Sequence, residues 1–83
     1  MTNSEFNQII CKRISKLRKD KKITMEKLAF QSDISKGGLS EIERGMKEPR
    51  VYTIAKICSA LDISMSEFFN FSELKTFLSN IYF

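Results

Sequence analysis

The stretch Thr24 to Gly45, TMEKLAFQSDISKGGLSEIERG, decides the fold. It divides into two short helices about a tight turn. Thr24 suits the N-cap of the first, with Lys27 standing where a capping box would place an acid. Leu28, Ala29, Leu39 and Ile42 supply the apolar contacts between the two. Asp33 falls in the connecting turn, where a short polar side chain tolerates the left-handed conformation. Ser35 follows as the second N-cap, its short oxygen suited to an orphan backbone N–H. Gly45 closes the second helix as a C′ residue.

Outward from this unit the pattern stays helical. Phe6, Ile9, Ile10, Ile14 and Leu17 recur at helical intervals and predict a first helix over about Ser4 to Asp20. Lys12, Arg13, Lys16 and Lys19 lie largely off that stripe. Lys21 and Lys22 end it, where cations favour the negative end of the helix dipole. Pro49, the only proline, stiffens a loop over Met46 to Arg50. A fourth helix is expected over about Tyr52 to Leu61, with Ile54, Ile57, Cys58 and Leu61 inward. Ser64 caps a fifth, which carries Met65, Phe68 and Phe69. Alternation never persists long enough to signal a strand. Leu74, Phe77, Leu78 and Ile81 have i, i+3, i+4, i+7 spacing, which predicts a sixth, amphipathic helix. That face needs a cover, either its own domain or a second copy of the chain.

Two short helices crossing steeply at a turn of a few residues form a helix-turn-helix, whose second helix can enter the major groove of DNA. LSEIERG (Leu39 to Gly45), then Pro49, then ALDIS (Ala60 to Ser64) leading into Glu67, Phe68 and Phe69 resembles the lambda-repressor/Cro-like, or XRE, helix-turn-helix family. The resemblance covers roughly residues 6 to 69. It implies an all-α, five-helix DNA-binding domain, here with an extra C-terminal amphipathic helix. The expected division is a DNA-binding domain over 1–71 and a packing or dimerisation segment over 72–83.

The resemblance also assigns roles. The N-terminal face of the third helix, with Lys36, Gly37 and Glu41, is expected to read bases. Lys36 suits guanine O6 or N7, and Glu41 suits cytosine N4. Lys27, Ser35, Ser40, Arg44, Lys47 and Arg50 are expected against phosphates. Arg18 and Glu43 match a partly buried ion pair in related repressors, and a structural role is expected for both. Because such domains usually bind as symmetric dimers, the cover for the C-terminal face is expected to be a second copy. The expected interface is Met65, Phe68, Phe71, Leu74, Phe77, Leu78 and Ile81. Three residues depart from the family pattern. Met25 stands where many members have a phosphate-bonding Gln. Lys22 stands where many have Gly. Gly37–Gly38 offers no side chain to a base, which allows either a close backbone approach to DNA or sparse base readout helped by DNA shape.

Composition limits the alternatives. Eighty-three residues make one small domain with a modest core. With 42% hydrophobic and 29% charged residues, the chain has the composition of a soluble globular protein. MTNSEFNQ lacks the features of a secretory signal, so a cytoplasmic location is expected. Residues 1–50 hold 12 Lys/Arg against 7 Asp/Glu, whereas residues 51–83 hold 2 against 3. A basic half beside a near-neutral one suits a nucleic-acid face opposite a packing face. With no histidine and only Cys11 and Cys58, neither an ordinary structural zinc site nor the usual general base is available. Both cysteines lie on apolar stripes and read as reduced core residues. No enzyme motif, cofactor or small-molecule ligand is indicated.

The expected function is a sequence-specific, homodimeric regulator of transcription on double-stranded DNA. Within the family, the short length and apolar end resemble controllers of restriction–modification operons. An antitoxin, or a protein-interaction module that keeps the fold, is the alternative.

Overall fold

The computed structural model describes residues 3–82, with side chains described for 4–80. Six helices follow in order: α1 (Asn3–Asp20), α2 (Met25–Ser32), α3 (Lys36–Glu43), α4 (Val51–Leu61), α5 (Met65–Phe68) and α6 (Ser72–Tyr82). No strand occurs among the described residues. Ile10, Cys11 and Ile14 of α1 meet Leu28, Leu39, Ile57, Leu61 and Phe68 in one core. Both cysteines are buried and unpaired, and burial raises both thiols above their ordinary pKa.

The junctions share one local device. Lys22, Asp33, Gly45 and Asp62 all take positive φ, from 56° to 75°. The residue after each returns its N–H to a carbonyl five positions back: Ile23 to Arg18, Ile34 to Ala29, Met46 to Glu41, and Ile63 to Cys58. These are Schellman closures, which satisfy carbonyls left over at a helix end. Ile23, Ile34 and Ile63 then pack against the core, whereas Met46 stays exposed. The next residue is an N-cap at three of the four junctions. Thr24, Ser35 and Ser64 accept from the N–H of Lys27, Gly38 and Glu67. Glu67 completes a capping box. A left-handed residue, an apolar plug and a hydroxyl cap thus turn the chain in three residues.

Gly45 meets a second constraint besides its φ of 75°, since a Cβ there would run into the Gln8 side-chain amide. Lys22 has no such excuse for its positive φ. It is a β-carbon residue in a conformation that costs roughly 1–2 kcal/mol.

Arg18 joins three elements. Its Nε donates to Glu43 Oε2 at 2.7 Å and its Nη2 to Glu43 Oε1 at 3.0 Å, tying α1 to the last residue of α3. Its Nη1 donates to the Ile23 carbonyl at 2.9 Å, within the turn that Lys22 opens. The side chains of Arg18 and Glu43 are only 12% and 5% exposed, so each charge depends on the other for solvation.

The expected interface needs correction at two residues. Phe68 is fully buried and Leu74 is 5% exposed, both within this chain's own core. The physical reason is that α5 packs Phe68 into the core against α4, and α6 folds Leu74 back on α1. Arg13 of α1 donates from Nε to the Phe68 carbonyl at 2.9 Å and from Nη2 to the Glu67 carbonyl at 2.8 Å. Its guanidinium lies 4.6 Å from the centroid of the Phe71 ring. This clamp closes α5 and sets the direction in which α6 leaves. Phe77 then meets Phe6 with ring centroids 5.9 Å apart. Met65, Phe71, Phe77 and Leu78 are half-buried, and the Ile81 side chain lies outside the described residues.

Two outcomes are expected from these contacts. Arg18→Ala should lower the unfolding free energy in urea by about 3–5 kcal/mol, because it strands a buried carboxylate. Lys22→Gly should raise stability by about 1 kcal/mol, because it removes left-handed strain. In a domain of this size that is an increase in Tm of roughly 4–8 °C. A Tm unchanged by Lys22→Gly would show that the Arg18 bond to Ile23 already absorbs the strain.

Candidate nucleic-acid interface

The surface around α3 follows from its two ends. Ser35 precedes the helix in extended conformation, and its Oγ accepts from Gly38 N at 3.0 Å. Leu39 and Ile42 point into the core, which leaves Lys36, Gly37, Ser40, Glu41 and Arg44 toward the outside. Lys36, Gly37, Glu41 and Arg44 are exposed and Ser40 is half-buried. The two glycines differ in their surroundings. A Cβ at Gly38 would stand 2.9 Å from the Ser35 hydroxyl, so the cap itself favours glycine there. A Cβ at Gly37 would meet nothing within 4 Å. The fold gives no internal reason for glycine at that position.

The loop between α3 and α4 is held from behind by α1. Gln8 Nε2 donates to the Gly45 carbonyl at 3.1 Å. The Asn7 amide and the Cys11 thiol both approach the Lys47 carbonyl. Arg50 takes the extended N-cap conformation before α4 without capping it through its side chain. Fixing this loop by its carbonyls leaves its cationic side chains outward. Ser35, Gly38, Lys47, Arg50 and Lys56 line one cleft between the α2–α3 turn and the loop. Lys27 and Arg44 do not line it.

The cations differ in how far they are already engaged. The side chains of Lys27, Lys47 and Arg50 are exposed and make no hydrogen bond or ion pair among the described residues. Arg44 makes only a long bond to the Ser40 carbonyl at 3.4 Å. Lys56 is held by the Asp33 carbonyl at 3.3 Å and lies over the Tyr52 ring. Lys36 Nζ is paired with Glu26 Oε1 at 2.8 Å. That hydrogen bond, with the charge of Lys36, holds the Glu26 carboxyl below its ordinary pKa. Met25 packs partly against the core, so the position serves packing in this chain.

The roles of Glu26, Gln8, Asn7 and Arg13 were not expected from the sequence. Arg13 follows the apolar stripe at i+3 from Ile10, a spacing that puts it at the stripe's edge rather than in open solvent. The others act between elements 10 to 40 residues apart and have no local signal.

Among the described residues no group of histidine, cysteine and acidic side chains could hold a metal ion, and no helix is long and apolar enough to cross a membrane.

Comparison with known proteins places this geometry. The helix-turn-helix family model matches residues 14–68. The uncharacterized HTH-type transcriptional regulator y4dJ of Sinorhizobium fredii is 30% identical over 63 residues, which cover 76% of this chain and 82% of that protein. Among solved structures, the restriction-modification controller protein C.AhdI of Aeromonas hydrophila superposes with a TM-score of 0.74 at 31% identity, covering 78% of this chain and 98% of that one. The clp gene regulator ClgR of C. glutamicum gives 0.71 at 35% identity, covering 75% and 80%. The chain therefore belongs to the XRE-type helix-turn-helix family of DNA-binding transcriptional regulators.

Proposed function

We propose that this chain is a sequence-specific regulator that binds double-stranded DNA as a homodimer, with α3 of each copy in the major groove. The observation that carries the reading is the rim of uncommitted cations, Lys27, Lys47 and Arg50, beside a helix whose outer face makes few contacts of its own. Lys and Arg on phosphates fix register, and base edges supply sequence. We assign Lys27, Ser35, Ser40, Arg44, Lys47 and Arg50 to phosphates, and Lys36, Gly37 and Glu41 to the groove floor. Open space at Gly37 favours a close backbone approach over merely sparse readout.

The second copy is proposed to cover the apolar surface that folding leaves partly open. Phe77 meets Phe6 with the rings tilted by 55°, and Phe6 lines a cleft with Val51, Ile54 and Phe69. Val51 is 71% exposed there. Of the residues first expected at the interface, Met65, Phe71, Phe77 and Leu78 remain available to it. A cytoplasmic location follows from the regulatory role. The likeness to C.AhdI favours a controller of a restriction–modification operon over an antitoxin or a pure protein-interaction module.

Duplex affinity measured against salt tests the reading. Log K should fall linearly with log salt, and Lys47→Ala and Arg50→Ala should each reduce the slope by about 0.9. A slope near zero for the unaltered chain would favour the interaction module. Gly37→Ala separates fold from function by sign. It should stabilise α3, by less than the roughly 1 kcal/mol of a helix interior because Gly37 is in the first turn, while weakening DNA binding. Equal affinity would place Gly37 away from the DNA.

A further inference from the structure

Resting on the DNA-binding reading above, we propose that Glu26 neutralises and orients Lys36, so that Lys36 acts as a base reader and not as a phosphate-binding charge. Lys36 is the first residue of α3 and Glu26 lies in the first turn of α2. They meet across the helix-turn-helix at 2.8 Å. Their side chains are 64% and 73% exposed, so neither is needed to fill the core, and the contact has little structural purpose. It does alter the electrostatics of the recognition surface. A lone lysine at the start of α3 would attract any phosphate and so strengthen binding to every sequence alike. Paired with Glu26, it adds no net charge to the surface. It keeps spare donors, because an ammonium has three. One donor goes to the carboxylate and the others remain for acceptors on a base edge, such as guanine O6 and N7. The carboxylate also repels backbone phosphates that approach without a matching base. Binding to unmatched DNA is weakened more than binding to the correct site, which raises discrimination.

Three proteins test this: the unaltered chain, Glu26→Gln, and Glu26→Gln with Lys36→Met. Affinity for a random-sequence 20-base-pair duplex is measured from 50 to 200 mM salt. Glu26→Gln frees one cation and should steepen the slope by about 0.9, which is about 3.5-fold more affinity lost across that range. The double variant restores the original charge balance and should return to the original slope. In selection of the same three proteins on a random duplex library, the unaltered chain and Glu26→Gln should enrich guanine at one position and the double variant should not, and enrichment unchanged in the double variant would overturn the base-reading role. The thermal midpoint of Glu26→Gln should fall only by the small amount expected for losing an acid from the first turn of α2, and the double variant should share that midpoint, which separates positioning from a structural role of the pair. A Glu26→Gln slope equal to that of the unaltered chain would overturn the proposal. So would a double variant that keeps the steep slope, since the freed charge would then not be Lys36. Salt-independent binding by the unaltered chain would remove the DNA-binding reading itself, and is seen without any substitution.

Discussion

The guanidinium of Arg18 is the point on which the helix-turn-helix is hung. Its planar fork meets both carboxylate oxygens of Glu43 and still has a donor for the Ile23 carbonyl. One side chain therefore sets the distance from α1 to the far end of α3 and fixes the turn that launches α2. Lysine could not replace it, because a point charge lacks the fork geometry. The pair is nearly closed to water, so its attraction is weakly screened and its loss is costly. A small core such as this one has little other means of fixing α3 at both ends. At the opposite end, Ser35 caps α3 and Gly38 leaves room for the cap.

Polar clamps on backbone carbonyls do comparable work elsewhere in the fold. Arg13 closes α5, Gln8 holds Gly45, and Arg18 holds Ile23. All three donors lie on α1. The long first helix is thus the frame against which two turns and the end of α5 are set, and the turn at Gly45 opens the loop that carries Lys47 and Arg50. Positioning of the loop that carries Lys47 and Arg50 is helped by α1 through the Gly45 and Lys47 carbonyls. The exposed side chains can vary in sequence without loss of the loop geometry beneath them.

Much of this was legible in the sequence because the signals are local. Thr24, Ser35, Ser64 and Gly45 mark helix ends by chemistry that acts within four residues. The repeated Asp-Ile-Ser at 33–35 and 62–64 is the same junction twice. Lys22 was harder, since a lysine does not itself announce positive φ and the one hint was the Gly that many family members have there; the bond from Arg18 to the next residue helps hold it. The direction of α6 was not legible at all. The spacing of Leu74, Phe77 and Leu78 says that a face needs covering, but not by what. Arg13, about 55 residues away, decides that through its bonds to Glu67 and Phe68. The Glu26–Lys36 pair was hidden for the same reason, because its ten-residue separation becomes a contact only through the angle between α2 and α3.

The proposed function rests on α3 and its rim reading DNA sequence as a symmetric pair. In vitro selection of the purified protein on a random duplex library at near-physiological salt tests it most directly. A palindrome should be enriched whose half-sites lie about one helical turn apart, the spacing that places two copies of α3 in successive major grooves on one face of the duplex. Failure to enrich any sequence, with only weak binding to all duplexes, would contradict it.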